Sequence, residues 1–310
     1  MLNIKYWYSK KKGVYPVNES SKGSLALLAS CFFWGCTPTV SKLGLESLPP
    51  LYFLGLSFLI GAIVLAFVFR KKLKFINRSI IFFALFTSIV LSAASILEIY
   101  GLKFISPMKS GLLISFETIF IPIFCFLLSK TVFEPKDVMN VIFAFLGLIL
   151  INHNGISFEF NIGVILTILA AALFAVQTII IGNLSKKYVP ILISIVELFT
   201  ASIICLSLAS FTEKTFQPIN PKSISALLFC GIFCSGIAFS LQTFGQKYIS
   251  PLRTGIILST IPVFGIIISH AIYNDVLSLC GLIGSIIIIC SIINSNINTT
   301  KVFTYKFKKR

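Results

Sequence analysis

Apolar residues run along this chain in blocks of about twenty, one block after another, with polar residues gathered between them. The blocks show neither the period-2 alternation of a half-buried strand nor the polar stripe that a water-facing helix must carry. About 20 residues at 1.5 Å each cross a hydrocarbon layer of about 30 Å, so each block reads as a transmembrane helix. The pattern predicts ten spans: 24–44, 50–69, 79–100, 108–129, 135–152, 162–182, 189–210, 223–244, 252–273 and 276–294. In the fifth, the strongly apolar part begins only near Val141. The connections are short, so no soluble domain is expected between spans. The first block is too long for a signal-peptide core and no small-residue cleavage site follows it, so it is read as a retained first helix.

Composition agrees with the pattern. Hydrophobic residues make up 56% of the 310 positions, charged residues 12%, and the mean hydropathy is +0.97. A soluble domain is about a quarter charged. The net charge of +16 would suggest nucleic acid in a soluble chain, but its distribution points elsewhere. With ten spans both termini lie on one side. Of the 26 Lys and Arg, 21 fall on that side: five in the N-terminal tail, five in RKKLKFINR (70–78), five in KVFTYKFKKR (301–310), and two in each of three further loops. Lys42, Lys103, Lys109, Lys214 and Lys222 fall on the other. Basic residues near helix ends stay cytoplasmic, so both termini are expected inside. The basic tails are then partners for anionic lipid headgroups, not for nucleic acid.

The chain also repeats itself. KFISPMKSG (103–111) returns 144 positions later as KYISPLRTG (247–255), and eight of 21 positions are identical between 100–120 and 244–264. A shift of 140 pairs Trp34 with Phe174, Pro50 with Pro190 and Ser57 with Glu197. The sequence therefore predicts two copies of a five-helix unit, at 24–155 and 156–295, between basic tails at 1–23 and 296–310. Five is odd, so the second copy enters the membrane the other way up. Inverted repeats of this kind place a midplane site between halves that rock against each other. The expected architecture is all-α and polytopic, with ten transmembrane helices as two inverted five-helix repeats around a central cavity. Locally, Pro107 and Pro251 suit a helix's first turn, with Ser106 and Ser250 as N-caps. Gly111 and Gly255 would admit a neighbouring backbone. Lys103 and Lys247 read as interfacial anchors, with Lys109 and Arg253 snorkelling.

FFWGCTPTVSKLGLESLPPLYFLGLSF (32–58) and GQKYISPLRTGIILSTIPVFG (245–265) resemble the two signatures of the EamA transporters of the drug/metabolite transporter superfamily. NVIFAFLGLILI and GLIGSIIIICSII resemble that family's fifth and tenth helices. The resemblance covers nearly the whole chain. It implies ten helices, cytoplasmic termini, a central cavity and movement of small metabolites, often amino-acid efflux, across a bacterial inner membrane. There are departures. Ser57 stands where members often carry an Arg, and Ile261 precedes Pro262 where they often carry a Glu. Glu117, at the matching place in the first half, offers that carboxylate instead.

An ionised group in hydrocarbon is costly, so intramembrane acids usually face a cavity or a partner. Glu98, Glu117 and Glu197 fall within spans, with no Lys or Arg at comparable depth. They are the candidates for cation recognition or proton coupling, Glu117 and Glu197 foremost; the plainer reading is a protonated carboxyl bonded to a neighbouring helix. Gln177 and Gln242 could bond a substrate or glue helices, and Trp34 could line the cavity or pack. The eight cysteines lie nearly all within spans and behave as small apolar groups. The spacing Cys230 to Cys234 has no histidine near it, so no metal or other cofactor is expected. His153, and His270 with Asp275 five residues on, make a thin case for a membrane enzyme. No Walker motif is present, so an ion or solute gradient must drive any transport. The expected function is secondary transport of a small-molecule substrate, amino acids or related compounds, in the export direction. Drug or cation efflux and lipid-linked sugar flipping are the alternatives, and a homodimer stays open.

Overall fold

The computed structural model describes residues 17–129, 135–151, 161–213, 219–273 and 279–297. The tail residues before 17 and after 297, His153, Lys130, Lys214 and Asp275 lie outside the described residues. Among the described residues the chain is helical, with no strand. The first part holds α1 (Val17–Gly44), α2 (Pro50–Val68), a 3-10 segment (Arg70–Phe75), α3 (Arg78–Gly101), α4 (Pro107–Ile114), α5 (Glu117–Ser129) and α6 (Pro135–Ile151). The second holds α7 (Ile162–Lys187), α8 (Pro190–Thr212), α9 (Pro221–Phe229), a π-helical segment (Cys230–Ile237), α10 (Ala238–Gln246), α11 (Pro251–Leu258), α12 (Ile261–Tyr273) and α13 (Leu279–Ile297).

Seven helical stretches among the described residues are long and apolar enough to cross a membrane, against the ten spans expected. Two shorter apolar helices, Val138–Gly147 and Leu282–Ser291, fall at the predicted fifth and tenth spans. The predicted fourth and ninth spans are not single helices. Each breaks, at Ser115–Phe116 and at Ser259–Thr260. At both breaks the backbone tightens into i to i−3 hydrogen bonds, Phe116 to Leu113 (3.1 Å) and Thr260 to Ile257 (3.0 Å). Serine hydroxyls bond back into the preceding turn, Ser115 to the Gly111 carbonyl (3.0 Å) and Ser259 to the Ile256 carbonyl (2.6 Å). Such back-bonding bends helices. At the second break Pro262 also removes the N–H that would have continued the ladder. A hydropathy pattern cannot register either event, because every residue involved is small or apolar enough to stay in the run.

Helix starts follow the local chemistry. Ser106 Oγ accepts from the Lys109 amide (3.2 Å) and Ser250 Oγ from the Arg253 amide (3.5 Å), with Pro107 and Pro251 in the first turn of α4 and α11. Asn77, Asn161 and Asn220 cap α3, α7 and α9 in the same way. The Nζ atoms of Lys103 and Lys247 lie 5.0 Å and 5.4 Å from the ring centres of Tyr100 and Tyr248, an anchor of cation-π type. Glu213, just past the end of α8, accepts from the Leu51 and Tyr52 amides (2.9 and 3.1 Å) and from the Tyr100 hydroxyl (3.2 Å). Its charge thus sits at the positive end of α2. Large apolar side chains such as Phe211 (87% exposed) and Phe67 (72%) point outward, as a lipid-facing surface requires.

Glycine sets how the helices meet. A Cβ on Gly23 of α1 would lie 3.0 Å from the Gly245 carbonyl oxygen of α10, and one on Gly101 of α3 would lie 3.1 Å from the Gly163 carbonyl oxygen of α7. A Cβ on Gly147 of α6 would lie 2.7 Å from the Gly284 carbonyl oxygen of α13, and one on Gly61 of α2 would lie 2.8 Å from the Gly236 amide nitrogen of the π segment. These are backbone-to-backbone approaches, which no rotamer change relieves. Replacing Gly61 by Val is therefore expected to force α2 off the π segment at a cost of about 1–3 kcal/mol. Gly111→Ala, whose new Cβ meets nothing closer than 3.8 Å, serves as the tolerated control. Thermal unfolding of the detergent-solubilised variants checks the pair: a clear drop in midpoint for Gly61→Val and little change for Gly111→Ala.

Candidate functional site

A cavity of about 120 Å³ lies among α1, α2, α3, α4, α7, the π segment and α10, with the first residues of α5 and α12 at its wall. Its walls are aromatic and aliphatic, with Trp34, Phe53, Phe58, Phe174 and Phe239 prominent. Polar groups reach it from several helices: Ser57, Ser95, Glu98, Glu117, Gln177, Thr178 and Gln242. An apolar wall with a few convergent polar groups is the usual make-up of a small-molecule site. For scale, an apolar cavity of about 150 Å³ holds benzene.

Five of the six residues singled out in the sequence line this cavity: Trp34, Glu98, Glu117, Gln177 and Gln242. Trp34 lines the cavity while its indole N–H donates to the Cys234 carbonyl (3.1 Å). That carbonyl belongs to the π segment, whose wider turn disturbs the regular ladder and which is common near functional sites. Phe239 stands edge-on to Trp34, ring centres 5.2 Å apart. Glu98 comes from the last turns of α3 and is partly exposed, toward the cavity. Glu117 is the first residue of α5, directly after the break in the predicted fourth span. The break therefore aims a helix N-terminus and its carboxylate at the same space, a favourable pairing of charge and dipole.

Glu197 is placed differently. It is fully buried and does not line the cavity; the Gln177 amide donates to its Oε1 (3.1 Å) and its Oε2 has no hydrogen-bond partner among the described residues. Gln177 stands between Glu197 and the cavity. The neighbouring position, Thr178, was not singled out in the sequence, yet it ties the site together. Its hydroxyl donates to Glu117 Oε1 (2.6 Å) and accepts from Gln242 Nε2 (3.3 Å). One turn of α7 thus orients one carboxylate on each side, Glu197 through Gln177 and Glu117 through Thr178. A lone threonine inside an apolar run carries no signal of this; only its adjacency to Gln177 hinted at it. Ser57, noted in the sequence only as a departure from a family pattern, lines the cavity with its hydroxyl unpaired. His270 falls in α12, which contributes only Ile261 to the cavity wall. Among the described residues no group of three or more His, Cys, Asp and Glu side chains could hold a metal ion.

The model of the EamA-like transporter family matches the chain twice, at residues 21–153 and 161–297. An uncharacterized transporter of Archaeoglobus fulgidus is 27% identical over 94% of this chain and 92% of its own length. The uncharacterized transporter YetK of Bacillus subtilis is 27% identical over 86% of this chain and 84% of its own. A chain of known crystal structure superposes with a TM-score of 0.74 at 15% identity, covering 89% of this chain and 97% of the other, which shows a shared fold.

The Thr178 relay gives a stability test. Thr178→Val keeps the shape but strands the Glu117 and Gln242 groups in a buried place, a loss of about 1–3 kcal/mol. Thr178→Ser restores the hydroxyl and should recover most of it. Unfolding midpoints of the two variants in one detergent check the order; equal midpoints would remove the relay from the account.

Proposed function

The chain belongs to the EamA-like transporter family and is a membrane transporter, and we propose that it is a secondary transporter that moves a small metabolite by alternating access between two inverted repeats. The reading places both termini in the cytoplasm of a bacterial cell, in its inner membrane, and takes export as the direction. The family model's two matches support the repeat, and so do the packing pairs. α1 meets α10 at Gly23 and Gly245, and α3 meets α7 at Gly101 and Gly163. Gly163 is Gly23 shifted by 140 and Gly245 is Gly101 shifted by 144, so the two crossings are counterparts of one another.

The observation that carries alternating access is the asymmetry of the cavity. The first part supplies Ser41, Phe53, Ser57, Leu102, Gly111 and Ile114 to its wall. Their counterparts in the second part, Ile181, Ile193, Glu197, Gln246, Gly255 and Leu258, do not line it and are buried. One set lines the cavity and the equivalent set does not. Rocking one repeat against the other would exchange the roles and bring Glu197 to the cavity, which gives its present burial a purpose. A hydrogen bond secures the closed set: the Thr118 hydroxyl of α5 donates to the Gly255 carbonyl of α11 (2.9 Å). Thr118 corresponds to Pro262, which has no hydroxyl to donate, so the opposite crossing has no such latch. The size of the cavity favours a substrate of a few heavy atoms over a lipid-linked sugar.

Flux into proteoliposomes tests the function directly. Glu117→Gln and Glu197→Gln are each expected to lower transport at least tenfold at unchanged abundance in the membrane, and normal flux in both would remove the carboxylates from the mechanism. Thr118→Val tests the latch. In a cysteine-free background, a cysteine at Leu258 should react several-fold faster with a maleimide when Thr118 is Val, while a cysteine at Ile114 reacts more slowly. Unchanged rates would show that the hydrogen bond does not hold the closed side.

A further inference from the structure

The two parts of the chain place unlike residues at matching positions near the cavity. Leu54, Ile99 and Leu102 line it. Shifted by 140 for Leu54 and by 144 for the other two, these positions become Ser194, Thr243 and Gln246. The three polar counterparts do not line the cavity and are 0% exposed. Hydroxyl and amide groups buried in a membrane bundle are costly unless each finds a partner. Ser194 and Thr243 find one another, their hydroxyl oxygens 2.8 Å apart. Gln246 does not: neither its Oε1 nor its Nε2 has a hydrogen-bond partner among the described residues. A glutamine that ties helices together is bonded, as the Gln177 amide is to Glu197 and the Gln242 amide to Thr178. Gln246 therefore calls for another explanation than helix packing.

Its place in the bundle supplies one. Gln242 and Gln246 are four residues apart and share a face of α10. Thr178 of α7 meets Gln242 at the cavity (3.3 Å), and one turn further along α7 Gly182 meets Pro251, the first residue of α11. A Cβ on Gly182 would find nothing closer than Pro251 Cγ, at 3.4 Å. Its counterpart in the first part is Lys42, whose ammonium bonds the carbonyl of Leu102, the counterpart of Gln246 (2.9 Å). Glycine offers no such side-chain strap. The end of α10 thus combines an unpaired carboxamide with a missing tie. We propose that Gln246 lines the route of a polar solute between the cavity and the C-terminal end of α10, one turn beyond Gln242, and offers it two N–H donors and a carbonyl acceptor. The proposal rests on the alternating-access reading, in which the second part's set comes to line the cavity.

Thiol accessibility and stability test it together. Single cysteines are placed at Gln246, Leu258 and Ile288 in a cysteine-free background, and each protein in proteoliposomes is treated with a charged, water-soluble methanethiosulfonate. Ile288 is also 0% exposed, and neither it nor its counterpart Ala144 lines the cavity, so it sets the rate for a residue off the route. Gln246→Cys is expected to react at least tenfold faster than Ile288→Cys. Gln246→Leu, which installs the first part's residue, removes an amide without a partner and is expected to leave the unfolding midpoint unchanged or raised. A clear drop in that midpoint would make Gln246 a structural tie and overturn the proposal. Reaction of Gln246→Cys no faster than that of Ile288→Cys would overturn it as well. Leu258 separates the two readings. If Leu258→Cys reacts and Gln246→Cys does not, the route falls and alternating access stands; if neither reacts, alternating access falls too. The midpoint of Gln246→Leu remains decisive if Gln246→Cys fails to fold.

Discussion

In hydrocarbon a leucine side chain gains nothing by leaving lipid for a helix interface, because both are equally apolar. Helices hold together there by close van der Waals contact and interhelical hydrogen bonds, which need small residues at the crossings. This chain meets that constraint with glycine facing glycine: Gly23 with Gly245, Gly101 with Gly163, Gly147 with Gly284, and Gly61 with Gly231 and Gly236. The crossings bring α1, α3, α7 and α10 close enough to enclose a cavity while leaving room for aromatic side chains between them. Remove a backbone contact and the carboxylates lose their fixed distance from the Gln177 amide and the Thr178 hydroxyl that orient them.

The same constraint governs the polar groups. A carboxylate inside the bundle must find hydrogen-bond donors, and α7 supplies them from two adjacent residues, Gln177 for Glu197 and Thr178 for Glu117. The helix breaks fit the same scheme. Interrupted helices at membrane depth are tolerated where they line a cavity or are covered by protein. The break at Ser115–Phe116 sets Glu117 at the head of α5, and the equivalent break at Ser259–Thr260 sets Ile261 at the head of α12. The acid is present in one half and absent in the other. Positions 144 residues apart, each directly after a helix break, thus carry unlike chemistry.

The asymmetry of the cavity and the asymmetry of its chemistry coincide. Glu98 and its counterpart Gln242 both line the cavity, whereas Ser57 lines it and its counterpart Glu197 is packed away from it.

Much of this was written in the order of residues. Twenty-residue apolar runs declare membrane helices because a span must satisfy its backbone alone across about 30 Å. The duplicated ISP segments at 105–107 and 249–251 mark the two corners, and acids without basic partners mark the candidate site. Those signals are local, and the structure brings five of the six singled-out residues to one cavity. The rest belongs to the tertiary structure. Glu197 and Glu117 look alike in sequence, each an acid in an apolar run, and only packing places one behind Gln177 and the other at the cavity. Thr178 is indistinguishable from any threonine in a helix until α5 and α10 approach it from two sides. The breaks before Glu117 and Ile261 are invisible to hydropathy because serine, threonine and proline interrupt the hydrogen-bond ladder without interrupting the apolar run. What a residue does inside a membrane depends on which helix faces it, and that pairing is fixed by contacts between residues more than 100 positions apart.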